Sequence, residues 1–446
     1  MKHSYDLTTG SIPLHLLRLS SPLIVGNILQ QLYNTVDAFI LGHFAGNTEF
    51  AAVGIAGSVM NLFLFMIMGA CTGISVIFAR LYGAGDYAAF RREHWISLTM
   101  GTLTVVFFSI LGLLCLPYLL SFIRTPEELL VPVTTYLSII LINLFASFLY
   151  NLYSALLRAI GRTSASLMAL AAAVSVNLVL DFLFVAKFAW GIAGAAYATA
   201  ISQIISAGLC ILYLICKAPD LVFKRKDCHM DKNLLLQTTR FSFITGLHQS
   251  SLYIGKLLIQ GAVNTGGTDM ISAYTATTRI EGFANSFGDS GSSATSVLVA
   301  QNYGAGKKDR VRNSFRSSLF LLFIIGVVMS IIMYVSAASS VGLMLGSTQG
   351  KAFENACSYM KVVAFFYVFC FLGNSFAGYF DGIGKVLVPF IGSLTHITLR
   401  VILSWLFIKE HGLPAVALAT GLGWILVNVL WSVIYLRRRK HMLPSP

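Results

Sequence analysis

Two pairs of polar residues stand one helical turn apart inside runs that are otherwise apolar. Asn177 and Asp181 lie in SLMALAAAVSVNLVLDFLFVA, and Tyr33 and Asp37 lie in SSPLIVGNILQQLYNTVDAFILG. Residues i and i+4 share one face of a helix, so each pair would turn its polar groups to the same side. In the first run Asn27, Gln30 and Asn34 extend that side into a polar stripe. Carboxylates, an amide carbonyl and a hydroxyl are the hard oxygen donors that Na+ prefers. Two carboxylates brought together would instead hold a proton, because one resists ionisation beside the other. The chemistry these residues point to is reversible binding of a small cation or a proton. A blander alternative makes both acids neutral, hydrogen-bonded structural groups, at a depth where each ionised acid is expensive.

The elements that must position these residues are membrane spans. The chain has 446 residues, 56% hydrophobic and 11% charged, with a mean hydropathy of +0.76. Soluble domains carry roughly 25% charged residues. Apolar runs of about 20 residues recur along the chain, each long enough to cross a bilayer. Twelve spans are expected, at approximately 14–41, 50–80, 94–120, 131–157, 164–187, 191–216, 234–262, 271–301, 315–345, 355–381, 386–408 and 412–436. The expected fold is all-α and polytopic, with domains at 1–216 and 234–446 joined by a polar linker at 217–233. The first apolar run is long, holds Arg18 and Asp37 and lacks a small-residue cleavage site, which argues against a cleaved signal peptide.

The net charge of +13 does not point to nucleic acid. Lys and Arg gather in every second loop: around Lys2 and Arg18, Arg80 to Arg92, Arg158 and Arg162, Lys217 to Arg240, Lys307 to Arg316, Lys385, and the terminal Arg437 to Lys440. The intervening loops hold Arg124, Lys187, Lys351, Lys361 and Lys409. This bias places both termini in the cytoplasm of an inner, or plasma, membrane, with the terminal RRRK as a lipid-headgroup anchor. GIGKVLV at 382–388 is no phosphate loop, and neither YGAG segment follows a strand, so ATP is not an expected energy source. The seven cysteines lack metal-ligand spacing and read as small packing residues.

The chain repeats itself. ARLYGAGD at 79–86 returns as AQNYGAGK at 300–307, RAIGRT at 158–163 as DGIGKV at 381–386, LDFLFV at 180–185 as LSWLFI at 403–408, and GIAGAAYAT at 191–199 as GLPAVALAT at 412–420. All offsets fall between 221 and 223 residues. An even number of spans per repeat makes the halves parallel, a symmetry that in transporters puts the substrate path between them.

With these motifs the chain resembles the multidrug and toxic compound extrusion (MATE) family of secondary transporters over nearly its whole length. The resemblance implies two pseudo-symmetric six-helix bundles in a V, rocking between inward- and outward-open states. It implies export of small organic compounds, often cationic or amphipathic, driven by inward Na+ or H+, without a cofactor and without enzymatic activity. Members of the archaeal and DinF-like type build a cation site in the first half, and the matching positions here are Asp37, Asn177, Asp181 and Thr199. Tyr33 and Asn151 match polar cavity residues of that type, and Pro22 matches the proline at which the first helix bends. Pro22 could equally do no more than start that helix. The expected partners are membrane lipid and a small-molecule substrate, with no nucleic acid, and the protein is expected to be a monomer.

The second half departs from the pattern of other branches. Its first span, LYIGKLLIQGAVNT, carries Lys256 and no acid, which argues against coupling through that half. Lys256 and Arg400 would give it a positive lining, unless both pair with local groups such as Asp289. Asn34, Lys256, Asp289 and Arg400 join Tyr33 and Asn151 as candidate cavity residues. Glu281, two residues after Arg279, reads as one member of a structural charge pair. His248 and His396 lie inside spans and read as hydrogen-bonded packing residues. Two alternatives stay open: a lipid or lipid-linked precursor flippase of the same superfamily, and an intramembrane enzyme using Asp37 and Asp181 as an acid pair.

Overall fold

The computed structural model describes residues 6–122 and 125–438, so Lys2, Arg124, Arg439 and Lys440 of the basic clusters lie outside the described residues. The N-terminal bundle runs α1 (Ile12–Ile40), α2 (Asn47–Gly83), α3 (Tyr87–Phe122), α4 (Glu127–Ala159), α5 (Thr163–Asp181) and α6 (Gly191–Lys217). The C-terminal bundle runs α7 (Lys232–Asn264), α8 (Thr268–Gly304), α9 (Lys308–Val335), α10 (Ala337–Leu345), α11 (Lys351–Ala364), α12 (Tyr367–Gly382), α13 (Leu387–His411) and α14 (Leu413–Arg438). With α9 and α10 read as one span, and α11 and α12 as one span bent by 53°, each bundle has six. No strand occurs among the described residues. The all-α, twelve-span fold is the one expected from the apolar runs.

By length and hydropathy alone, nine helices qualify as spans among the described residues, or ten with the bent pair. Helices α7 and α8 are long enough but too polar. The reason is visible in α8, which buries Thr277, Glu281, Ser286, Ser290, Thr295 and Asn302. A span that turns polar groups into the protein loses mean hydropathy without leaving the membrane.

The duplication is written into the backbone. Left-handed glycines recur in pairs at Gly46 and Gly267, Gly85 and Gly306, Gly161 and Gly384, and Gly191 and Gly412. Both YGAG segments close a helix in the same turn. Gly85 N–H donates to Tyr82 O at 3.1 Å and Gly306 N–H to Tyr303 O at 3.1 Å. They are helix C-caps, which need a residue at positive φ. Small residues set the helix contacts in each bundle: Ser75 on α2 donates to the Ala155 carbonyl of α4 at 3.1 Å, and Gly378 of α12 lies against the Ser292 carbonyl of α8.

The chain forms two compact units, residues 25–246 and residues 1–24 with 247–446. The limits therefore fall inside α1 and α7 and not in the 217–233 segment. The core of the first unit packs Leu116, Val133, Tyr136 and Leu137 with Ile192 and Ala196. The 217–233 segment is docked on α3. Two short 3-10 turns, Pro219–Leu221 and Arg225–Asp227, bury Leu221 and Asp227. Arg91 donates through Nε to Asp227 at 3.0 Å and through Nη1 to the Asp220 carbonyl at 3.2 Å. The start of α7 is held there too, where the fully buried Glu93 accepts hydrogen bonds from Ser97 at 2.7 Å and Thr238 at 2.8 Å.

The second unit has its own clamp. Arg310 donates to the carbonyls of Leu7, Thr9 and Gly10 at 3.0 to 3.1 Å. Lys307 reaches the Thr8 carbonyl at 2.8 Å, and Asn302 reaches the Leu7 carbonyl at 3.2 Å. Leu7 is buried with the segment. The core of this unit gathers Tyr274, Tyr359, Tyr367, Phe371 and Val416. All seven cysteines are free, and His248 is hydrogen-bonded to Ser393 at 2.8 Å.

Candidate cation site

In the unit formed by residues 25–246, α1 and α5 bring Asp37 beside Asp181. Asn177, one turn before Asp181, is buried with it, each 1% exposed. Tyr33, one turn before Asp37, stands beside both carboxylates and beside Thr199 of α6. The i, i+4 spacing read from the sequence thus delivers both pairs to one place. Tyr136 of α4 completes the ring: it is buried, faces both acids, and puts its hydroxyl 3.8 Å from the Met60 sulfur. Sequence reasoning missed it, because a tyrosine in the apolar run TTYLSII looks like core.

Each acid is followed by a π-helical turn. Leu41–Ala45 continues α1 past Asp37, and Phe182–Lys187 begins with Asp181 as its N-cap. The two turns pack together, and Ile40, Leu41, Val185 and Ala195 form a small apolar cluster beside them. A π turn opens the helix by one residue and shifts the facing of everything after it, a device found often at functional sites.

The polar atoms at the centre are unsatisfied. As ionised groups, Asp37 Oδ1, both carboxylate oxygens of Asp181, and both Oδ1 and Nδ2 of Asn177 are buried without a hydrogen-bond partner among the described residues, while Asp37 and Asp181 stand close enough to hydrogen-bond one another once one of them carries a proton. Native proteins satisfy nearly all such atoms, so a cluster of five marks a place for a missing group. Oxygen donors from two acids and an amide fit a hard monovalent cation, or protons shared between the acids. Among the described residues no group of three or more His, Cys, Asp or Glu could hold a transition metal.

The other candidate residues divide between the units. Asn151 is tied to its own helix, donating to the Ser147 carbonyl at 2.8 Å, and the exposed Asn34 lies 3.4 Å from Gln30. Lys256, Asp289, Arg400 and Pro22 belong to the second unit. Lys256 and Asp289 are exposed and close enough for their charges to interact. Arg400 lies beside Tyr274, whose hydroxyl is 3.4 Å from Nη2. Glu281 faces Arg400 and Tyr359. Arg279 is exposed, so Glu281 is not its partner in a surface charge pair: two residues along a helix turn the side chains to nearly opposite faces. Pro22 lies inside α1, well past its start at Ile12, which rules out the helix-starting role.

A family model described as MatE matches residues 22–183 and again residues 244–406, well over half the chain in two copies. A probable multidrug resistance protein, YpnP of Bacillus subtilis (strain 168), is 26% identical over 95% of this chain and 94% of its own length. The solved structure of a multidrug resistance MATE family transporter of the MOP superfamily in an outward-facing conformation superposes with a TM-score of 0.92. It shares 21% identity and covers 100% of this chain and 99% of its own. A MOP superfamily transporter from Pyrococcus furiosus, described as having a binding pocket of reverse polarity, gives a TM-score of 0.91 at 20% identity, with the same coverage.

Proposed function

The chain belongs to the MatE family of multidrug efflux transporters, and we propose that it is a secondary antiporter of the plasma membrane, exporting small organic compounds in exchange for inward Na+ or H+. It is a multi-pass membrane protein and not an enzyme, and members of the family need no cofactor. The observation that carries the antiport reading is the cluster of five unsatisfied polar atoms on Asp37, Asn177 and Asp181. Such a cluster is unstable unless something charged or protic visits it.

In this reading Asp37 and Asp181 supply the charge that draws the ion, and the Asn177 carbonyl and Thr199 hydroxyl complete its shell. Tyr33 and Tyr136 line the site and exclude water. The π turns beside both acids and the interior Pro22 give α1 and α5 places to change shape as the ion arrives. Tyr33, Asn34 and Asn151 in one unit, and Lys256, Asp289 and Arg400 in the other, are each unit's polar groups for the exported compound, and the basic loops face the cytoplasm with both termini. One ion entering across about 100 mV supplies about 2.3 kcal/mol. A factor of ten costs about 1.4 kcal/mol, so one ion sustains roughly a fifty-fold gradient of a neutral compound. The flippase alternative is not favoured, given the match of both halves to the MatE model.

The test is efflux from proteoliposomes with Na+ and pH gradients imposed separately. Asp37→Asn and Asp181→Asn should each abolish gradient-driven efflux while the protein still inserts and elutes as a single species. Efflux at the wild-type rate in either variant would refute the coupling role.

A further inference from the structure

The starts of α3 and α9 are equivalent in the repeat, yet among the described residues the chain covers only the first. At an offset of 221 residues Arg91 corresponds to Arg312, His94 to Phe315 and Trp95 to Arg316, and at 223 Tyr153 corresponds to Phe376. The ring contacts agree with that register: His94 meets Tyr153 with centroids 5.3 Å apart, and Phe315 meets Phe376 at 5.1 Å. On α3 the cover is the 217–233 segment. Its Asp227 takes the Arg91 guanidinium, and its Phe223 lies 4.9 Å from the His94 ring and 5.3 Å from Trp95. The Arg91 side chain is left 16% exposed.

On α9 the place of Phe223 is taken by Tyr435 of α14, whose ring lies 4.9 Å from Phe315 and 5.5 Å from Tyr379 of α12. That ring brings no carboxylate. Arg312 stands beside Tyr379, and its side chain is 45% exposed. Its acidic neighbour Asp309 is exposed and 4.0 Å away, beyond hydrogen-bond reach, a surface pair of little worth. Residues 439–446, which follow α14 as the linker follows α6, contain no Asp or Glu. Lys307 and Arg310 are already engaged by the carbonyls of Leu7 to Gly10. Arg316 is exposed one turn beyond Arg312 on the same face of α9. Further along that face come the exposed Phe320, Phe323 and Ile331. Two guanidinium groups thus head an apolar strip at the end of a membrane span.

We propose that the start of α9 is a binding site for an anionic phospholipid of the cytoplasmic leaflet. Arg312 and Arg316 hold the lipid phosphate, and its acyl chains lie along Phe320, Phe323 and Ile331. The carboxylate that Arg91 receives from Asp227 shows what the equivalent position is shaped to hold. A guanidinium fork accepts two oxygens of a phosphate as readily as two of a carboxylate. Tyr435 sits at the level where aromatic rings with a polar tip meet the headgroups. A free phosphate ion would use the two charges and leave the apolar strip unused, whereas a lipid uses both. The choice of leaflet rests on the reading that the basic loops face the cytoplasm. The site itself is independent of which ion drives transport.

Native mass spectrometry of the purified chain in detergent, titrated with dioleoylphosphatidylglycerol or dioleoylphosphatidylcholine, tests the site. Wild type should retain phosphatidylglycerol in preference to phosphatidylcholine. Arg312→Gln and Arg316→Gln should each weaken that retention by about five-fold, and Arg312→Lys should recover part of it. Arg225→Gln removes an exposed charge from the covered surface of the first half and should leave retention unchanged. Inorganic phosphate in large excess should not displace the lipid. Retention of both lipids alike by wild type would overturn the proposal. So would an equal loss in Arg225→Gln, which would mean a general effect of net charge, or displacement by phosphate, which would mean a free-anion site. If Arg312→Gln fails to fold, Arg316→Gln decides, and retention at the wild-type level there would refute the site. Asp37→Asn separates this inference from the antiport reading: it should lose gradient-driven efflux and keep the lipid preference, and loss of that preference there would count against a site on α9.

Discussion

Asn177 shows most sharply what a working site costs. Its amide is buried with both polar atoms unpaired, and each buried unpaired group costs about 1–3 kcal/mol. Replacing Asn177 with Leu, of similar size, should therefore raise thermal stability while lowering cation-dependent efflux. A fall in melting temperature would mean that the amide is satisfied by a bound group even at rest. Tyr136 makes the complementary prediction. Tyr136→Phe keeps the ring and its packing but removes the hydroxyl, so the apparent affinity for the coupling ion should weaken by about five-fold, the worth of one hydrogen bond of about 1 kcal/mol, with stability little changed. At this scale the sequence was legible where chemistry and spacing coincided. Asp37, Asn177 and Asp181 stood out because carboxyls and amides are anomalous in apolar runs. Tyr136 and Tyr359 did not, since a tyrosine is equally at home in a core, and only the fold shows which of them face an acid.

Among the elements, most of the twelve spans were readable because apolar runs of the required length leave no other fold, whereas α7 and α8 are too polar to stand out by hydropathy alone. The π turns after Asp37 and Asp181 were not, because FLFVAK carries no periodicity that separates one helix type from another. The docking of the 217–233 segment was also hidden: its polarity reads as solvent exposure, yet Leu221 and Asp227 are buried against α3. That clamp has a calculable pH response. Burial pushes the Asp227 carboxyl up, but hydrogen bonds from Lys224 N–H and Arg91, with the Arg91 charge, outweigh it and hold the group below its ordinary 3.8. A depressed carboxyl stabilises the fold above its unfolded value, and the stabilisation is lost as pH falls through the folded one. Proteolysis of residues 219–227 should therefore stay constant from about pH 5 to pH 8. Arg91→Ala should increase it at neutral pH, and an unchanged cleavage rate in that variant would show that the clamp does not restrain the segment.

For the whole molecule, the repeat does more than double a motif. The limits of the compact units fall between Ile24 and Val25 in α1 and between Gly246 and Leu247 in α7, positions separated by the same interval as the duplicated motifs. Each entry helix thus begins in one unit and ends in the other, and each start is held by basic side chains: Arg91 for the segment before α7, and Lys307 and Arg310 for the segment before α1. A chain divided at residue 230 should give two fragments that resist proteolysis only when produced together, because each lacks the helix start that completes its unit. The two clamps differ in one respect that matters at the ribosome. Arg91 is made before the segment it holds. The carbonyls of Leu7 to Gly10 must wait for Asn302, Lys307 and Arg310, which at about 5–20 residues per second arrive roughly 15–60 s later. Throughout that interval the Leu7–Gly10 segment lacks its receptor, and its capture by Arg310 is a late step of assembly, so that a nascent chain arrested before residue 302 should leave that segment open to proteolysis while the 25–246 unit is already closed.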